Sequence, residues 1–315
     1  MDSSMEKSLL TRIAWMYYVQ DMTQGEIAAK LNFSRTKITR CLAKAKNTGI
    51  VEIHIASEYR ACLDTEQALK DRFPFLETVV VPAGNSDAVT KEGAGKACAG
   101  YLENILTDGD VVGIAWGSSL YEVGKFLGLK KPLNITVVQL MGGLNSSETI
   151  NPEEIVKQIA RRLHANGVWL NTPAMMDTPE IKKALLSDEG VKRVLTKATS
   201  CTKALFGVGD VSDDGSLVIS NALTVAEMAK LRDMGAAGNL LGWFYDVNGN
   251  PIHSFVSDRV ISVPFEDIKR IPHKICLATG SNKAVAILGA IRGGCMNTLV
   301  TDEVTAQEVL RLARQ

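Results

Sequence analysis

Over the first sixty residues the apolar positions recur at helical spacing. Leu9, Ile13 and Met16, with Leu10, Ala14 and Tyr17, form one stripe and predict a helix over residues 8–18. Thr23-Gln-Gly-Glu26 has the pattern of a capping box, which starts a second helix over about 24–31 with Ile27, Ala28 and Leu31 on its buried face. Asn32-Phe33 then make a tight turn, since Asn tolerates the left-handed backbone, and Ser34 is a second N-cap. The third helix, about 35–46, splits into two faces. Ile38, Cys41, Leu42 and Ala45 point inward, while Thr36, Lys37, Arg40 and Lys44 lie opposite. After Gly49, residues 50–55 alternate Val51, Ile53 and Ile55 against Glu52 and His54, which predicts a short strand behind the helices.

Beyond about residue 59 the rhythm changes. An amphipathic helix over 64–73 leads into short, continuous apolar runs at 78–81, 110–116, 135–140, 204–208, 274–278 and 297–300. Between them, 88–106, 118–127, 152–165, 224–234, 282–292 and 302–313 carry helical spacing. Strands buried on both faces and alternating with helices predict an α/β domain with a mostly parallel sheet. The chain therefore reads as two domains: a helix-turn-helix over 1–58, of the winged kind if the strand forms, and a larger α/β domain over 59–315.

Charge sharpens the reading of the first domain. Lys+Arg and Asp+Glu both total 35 over 315 residues, yet Lys30, Arg35, Lys37, Arg40, Lys44 and Lys46 follow one another with no acid between them. A solvated helix gains from mixed signs, so an unmixed basic run points to an anionic partner. Two short helices joined by a tight turn, the second with a basic and hydroxyl-bearing face, suit B-DNA. Ser34 can hold a phosphate, Lys37 or Arg40 can donate to guanine O6 and N7, and a threonine can bond a base edge or phosphate. Thr23, Gln24, Ser34, Arg35, Thr36, Lys37, Thr39, Arg40 and Lys44 are the candidate DNA contacts. A small helical interaction module that binds no DNA is the alternative.

Composition removes other classes. Hydrophobic residues at 46% and charged residues at 22% are those of a folded globular chain. The N-terminal Met-Asp-Ser-Ser-Met-Glu-Lys is no signal segment, no apolar run approaches a membrane helix, and the six cysteines lack CxxC spacing. A cytoplasmic protein with reduced thiols and no membrane association is expected.

In the larger domain, several apolar runs end in glycine. Residues 110–116 run into Gly117-Ser118-Ser119, 135–140 into Gly142-Gly143, 204–208 into Gly209-Asp210, and 274–278 into Gly280-Ser281-Asn282-Lys283. Parallel sheets bind ligands beyond the carboxyl ends of their strands. Glycine there lets backbone N–H groups approach an anion, and a helix N-terminus adds a favourable dipole. Ser118, Ser119 and Ser281 supply hydroxyls and Lys283 a full charge, so a phosphate-sized anion site is expected. No loop has the dinucleotide or P-loop pattern, which disfavours NAD and ATP; no cofactor is expected. Trp116 suits the pocket or the core equally. Asp246, ahead of the Asn248-Gly249 turn, suits sugar hydroxyls or the turn itself.

Catalytic patterns are thin. His54, His164, His253 and His273 have no metal-ligand spacing and adjoin no obvious nucleophile, and neither GxSxG nor HExxH occurs. Lys283 could form a Schiff base, but phosphate binding suits its position better. No catalytic or metal-binding residue is assigned.

Taken together, Ile13-Ala-Trp-Met-Tyr-Tyr18, Met22-Thr-Gln-Gly-Glu-Ile-Ala28, Gly49-Ile-Val51, Gly113-Ile-Ala-Trp-Gly-Ser118, Gln139-Leu-Met-Gly-Gly143, Gly207-Val-Gly209, Asn282-Lys-Ala-Val-Ala-Ile287, Gly293-Gly294 and Leu299-Val-Thr-Asp302 resemble, in this order, SorC/DeoR-type sugar-responsive transcriptional regulators of bacteria. Such a resemblance implies an N-terminal helix-turn-helix, a C-terminal effector domain similar to the sugar-phosphate isomerase and deaminase fold, homodimers or homotetramers, and a phosphorylated sugar as inducer of operator release or activation. Carried over by position, the phosphate would meet Gly117, Ser118, Ser119, Gly142, Gly143, Gly280 and Lys283, and Asp246 the sugar hydroxyls. Two departures are Asn32, where glycine is frequent, and Gly25, which lowers helix propensity by about 1 kcal/mol relative to alanine. An isomerase or deaminase with an unrelated N-terminal extension is the competing class.

Overall fold

A computed structural model describes residues 3–52, 57–129, 131–144 and 151–314. It divides into two compact units, Met1–Ala56 and Ser57–Gln315.

Among the described residues the first unit holds three helices, α1 (Ser3–Tyr18), α2 (Gln24–Leu31) and α3 (Arg35–Asn47). Ile13, Met16, Ile27, Ala28, Ile38 and Leu42 form its core. Leu10, Ala14 and Ala45 make a second cluster, covered by Ile50 and Val51. The amides of those last two residues both donate to the Ala45 carbonyl, at 2.9 and 3.1 Å, and so close the end of α3. The strand expected over 50–55 runs into residues 53–56, which lie outside the described residues.

The second unit opens with α4 (Ser57–Arg72), β1 (Glu77–Val81), α5 (Asp87–Ile105), β2 (Val111–Ile114), α6 (Ser118–Phe126), β3 (Thr136–Gln139), α7 (Pro152–Leu163) and β4 (Asn166–Val168). It continues with α8 (Pro179–Ser187), α9 (Glu189–Thr199), β5 (Lys203–Phe206), α10 (Ser216–Ile219), α11 (Val225–Asp233) and a small antiparallel pair, β6 (Gly238–Leu240) with β7 (Trp243–Tyr245). Then come α12 (Phe265–Arg270), β8 (His273–Leu277), a 3₁₀ turn (Ser281–Lys283), α13 (Ala284–Arg292), β9 (Thr298–Asp302) and α14 (Glu303–Ala313).

Seven strands form one parallel sheet in the order β1-β9-β8-β5-β2-β3-β4. Every residue of β2, β5 and β9 is buried, which is why their sequence lacks the alternation of a half-exposed strand. Asp110, Lys203, Lys274 and Asp302 bring charge into this core. Lys203, which opens β5, donates to both carboxylate oxygens of Asp110 at 2.6 and 2.7 Å, and both residues are buried. No disulfide joins the cysteines among the described residues, and burial pushes up the thiols of Cys98, Cys201, Cys276 and Cys295, Cys295 to about 11 and Cys201 and Cys276 to about 12, which makes these four inert packing groups.

The sheet order positions the site. From β2 the chain proceeds outward through β3 and β4, then returns so that β5 lies on the other side of β2. Neighbouring loops leave β2 and β5 in opposite directions at such a reversal, and a crevice opens between them at the strands' carboxyl ends.

Candidate nucleic-acid interface and anion cleft

In the N-terminal unit, both halves of the capping box on α2 are made. The Glu26 amide donates to Thr23 Oγ1 at 3.3 Å, and the Thr23 amide donates to Glu26 Oε2 at 2.7 Å. This bond from the Thr23 backbone, with one from its hydroxyl, holds the Glu26 carboxyl below its ordinary range. Asn32 ends the helix in the left-handed region (φ 54°, ψ 44°), the conformation that turns the chain into α3. Ser34 caps α3 by accepting the Lys37 amide at 3.2 Å.

Arg35, Thr36, Lys37, Thr39, Arg40 and Lys44 are all exposed on α3, but they are not equally available. Lys37 Nζ lies 3.6 Å above the Phe33 ring, a cation–π contact that keeps it near its own turn. Lys44 Nζ is paired with Glu6 of α1 at 2.6 Å. Thr39 is hydrogen-bonded to Gln24. Arg35 and Arg40 make no side-chain hydrogen bond or ion pair among the described residues. They are the free guanidinium groups of this face, with five donors each in a planar fork suited to phosphate or guanine.

In the larger unit, the crevice at the β2/β5 reversal is a compact cleft of about 60 Å³. A single water needs roughly 10–15 Å³ on the same kind of measure, so the space takes a group of several heavy atoms. The loop after β2 supplies Gly117, Ser118 and Ser119, that after β5 supplies Gly207, Val208 and Gly209, and the turn after β8 supplies Lys283; Ser216 and Asn239 complete its polar lining. Gly117 stands at φ 144°, ψ 146°, a region in which side chains are strained, and it gives α6 no side-chain cap. The Ser118 and Ser119 amides at the start of α6 meet no acceptor among the described residues, and neither does the hydroxyl of buried Ser119.

Lys283 is the only titratable side chain lining the cleft among the described residues. It makes no hydrogen bond or ion pair among them. Burial pushes its ammonium below the ordinary lysine range and the Lys91 ammonium adds to this, against the opposite pull of Asp210. Unpaired donors and a half-buried, unpaired cation converge on one small space, an arrangement that an anion with several oxygens completes.

Four residues expected at this site are placed elsewhere, each with its polar groups already used. Gly142 and Gly143 donate their amides to the carbonyls of Ile261 (2.9 Å) and Thr172 (2.7 Å), and a Cβ on Gly142 would lie 2.2 Å from the Pro173 oxygen. The Gly280 amide donates to Thr305 Oγ1 at 2.8 Å and Asp302 Oδ2 at 3.2 Å. Asp246 Oδ1 accepts the Asn248 and Asn250 amides, each at 2.9 Å, and Oδ2 accepts the Asn250 side chain at 3.0 Å; of its two readings, the structure shows the turn. Burial raises this carboxyl, but the bonds from Asn250 and Asn248 outweigh it and hold the group below its ordinary range.

Two lining residues carry no sequence signal of their own. Asn239 lies in β6, and its amide and carbonyl exchange bonds with Gly209 at 2.9 Å each, which brings it to the loop after β5. Ser216 opens α10, a helix of only four residues.

Comparison with known proteins bears on both units. A family model described as "Putative sugar-binding domain" matches residues 57–311. The chain is 31% identical over 302 residues to the transcriptional regulator YjhU of Escherichia coli, covering 94% of this chain and 92% of that one. It is 31% identical to the transcriptional regulator LsrR of the same species over 97% of this chain and 95% of LsrR. The full-length sorbitol operon regulator SorC of Klebsiella pneumoniae has a solved structure that superposes with a TM-score of 0.76 at 29% identity, covering 98% of this chain and 99% of that one. With the fold, the family model and these relatives in agreement, the chain belongs to the SorC/DeoR family of sugar-responsive transcriptional regulators.

Proposed function

We propose that this chain is a cytoplasmic DNA-binding regulator whose operator affinity is set by a phosphorylated sugar bound in the cleft at the β2/β5 reversal. The observation that carries the effector half is Lys283, a half-buried cation with no partner among the described residues, beside unsatisfied amides and a hydroxyl at the start of α6. The phosphate accepts from the Ser118 and Ser119 amides and from Lys283, while Ser216 and Asn239 are placed to meet the sugar's hydroxyls. Relatives named as a deoxyribonucleoside regulator in Bacillus subtilis and an erythritol catabolism regulator in Brucella abortus support a small polyhydroxylated effector.

Arg35, Arg40 and Thr36 on α3 enter the major groove. Two copies present two such helices about 34 Å apart on a near-palindromic operator. Effector and operator then alter each other's affinity by the same factor, typically about 1–3 kcal/mol.

The isomerase or deaminase reading is less well supported. Such turnover needs an acid, base or imidazole beside the substrate C–H, and no Asp, Glu or His lines the cleft among the described residues.

Thermal denaturation of the full chain with matched phosphorylated and unphosphorylated sugars tests the effector half. Stabilisation that requires the phosphate is expected. A panel in which free sugars stabilise as well as their phosphates would remove the phosphate from the proposal.

A further inference from the structure

Thr39 and Gln24 stand on different helices, fifteen residues apart, yet Thr39 Oγ1 lies 2.8 Å from Gln24 Oε1. The same hydroxyl is 3.1 Å from the Arg35 carbonyl, its own helix's acceptor, and a hydroxyl has a single proton to give. Gln24 lines a groove of about 710 Å³ shared with Arg35, Gly25, Thr23 and the acidic Asp21. Its side-chain Nε2 has no acceptor among the described residues. An amide held by its oxygen turns its two N–H donors the other way, and donors without acceptors next to a free guanidinium suit an anionic oxygen.

We propose that Thr39 does not itself contact DNA but is a positioning residue: its hydroxyl proton goes to Gln24 Oε1 and fixes the Gln24 amide so that Nε2 donates to a backbone phosphate in the Arg35 groove. This rests on the DNA-binding reading above and deepens it. Two residues that both look like DNA contacts become one contact and its support. The pairing gives the hydroxyl at position 39 a role. Valine has nearly the same shape but leaves Gln24 Oε1 without its donor, so the amide rotates freely and can present oxygen rather than nitrogen to the phosphate.

A duplex selected by the wild-type protein from a random-sequence pool, and a scrambled duplex of the same composition, serve as probes for Gln24→Ala, Thr39→Val, Thr39→Ser and the double variant Gln24→Ala/Thr39→Val. A hydrogen bond to a charged group predicts that Gln24→Ala weakens binding about tenfold, with Thr39→Val close behind. Thr39→Ser restores most of the loss, because it restores the donor. The double variant is no weaker than Gln24→Ala, since Thr39 acts only through Gln24. Each loss is equal on the two duplexes, as a phosphate contact requires, and the slope of affinity against salt is unchanged because no cation has been removed.

Melting temperatures within a degree or so of wild type show that the fold is intact; a variant that melts lower is replaced by Thr39→Ala in the same cycle. Losses that add in the double variant, or a Thr39→Val change confined to the selected duplex, overturn the pairing and make Thr39 a direct reader. Wild-type protein that retains neither duplex at low salt overturns the DNA-binding reading and this pairing with it.

Discussion

Lys283→Met separates the two roles of that side chain, since it keeps most of the packing volume and removes the charge. Hydrogen bonds to charged groups contribute about 1.5–3 kcal/mol, so loss of the ammonium lowers affinity for a sugar phosphate about ten- to a hundredfold. At a ligand concentration a hundred times the wild-type Kd, binding stabilises the native state by about 2.7 kcal/mol. A unit of this size gains about 2–4 °C per kcal/mol, so wild-type protein shifts by about 5–10 °C. With affinity down a hundredfold, the same concentration equals Kd and the shift falls to about 1 °C.

Without ligand the sign reverses. Burial depresses the Lys283 pKa in the folded state, so the native protein holds this proton less tightly than the unfolded chain does. That penalty is full below the depressed folded value, shrinks as pH rises through it, and is gone above the unfolded lysine pKa of about 10.4. Ligand-free Lys283→Met therefore melts above wild type at pH 7, and the gap closes at alkaline pH. Scanning calorimetry with and without a saturating sugar phosphate reads both effects. A variant with the full wild-type ligand shift would refute the assignment of Lys283 to the anion.

The other expectations concern residues whose roles the structure distinguishes. Arg40→Ala, at a guanidinium with no intramolecular partner, lowers duplex affinity and reduces the salt slope by about 1 in titrations at several ionic strengths, whereas Glu6→Gln frees Lys44 from its ion pair and tightens binding. Gly142→Ala forces a Cβ against the Pro173 backbone and destabilises the fold by about 1–3 kcal/mol in urea melts, instead of selectively weakening ligand binding. Asp110→Asn leaves the buried Lys203 ammonium uncompensated and costs about 3–5 kcal/mol at neutral pH. Burial raises the Asp110 carboxyl, but the bonds from Lys203, Thr202 and Thr107 outweigh it and hold it below its ordinary range. The stability it contributes is therefore present above about pH 4 and is lost as pH falls through the depressed value. Urea melts across acid pH show this limb in wild type and not in the variant.

The fold is legible in the sequence wherever burial is two-sided. Residues 135–140 and 204–208 stand out as mostly apolar runs, and β3 and β5 form within and beside them because the sheet is covered on both faces. Asn166–Val168 does not, because a three-residue edge strand containing glycine has too little pattern to register. Among the helices, α8 escapes periodicity for a physical reason, since none of its residues is buried. For the cleft, Gly117, Ser118, Ser119 and Lys283 can be found from glycine after an apolar run, because local chemistry and position in the fold point the same way. The same signal places Gly142, Gly143 and Gly280 in the cleft, where the structure does not. Glycine marks close backbone approach without saying to what, and at Gly142 the neighbour is Pro173. Asn239 belongs to the opposite case: its place beside Gly209 exists only once β6 has paired with β7, and nothing local announces it. On α3 the basic face is evident from spacing, but Phe33 beneath Lys37 and Glu6 beside Lys44 are tertiary facts, and they decide which cations remain free.

Fluorescence anisotropy of a labelled operator duplex, titrated with the full chain at a series of fixed sugar-phosphate concentrations, joins the two units in one experiment. Coupled sites move the operator midpoint about 5- to 150-fold as effector rises, and the operator moves effector affinity by the same factor in the reverse titration. Superimposable isotherms, obtained with a sugar phosphate that calorimetry shows to occupy the cleft, would contradict control of DNA binding by that ligand.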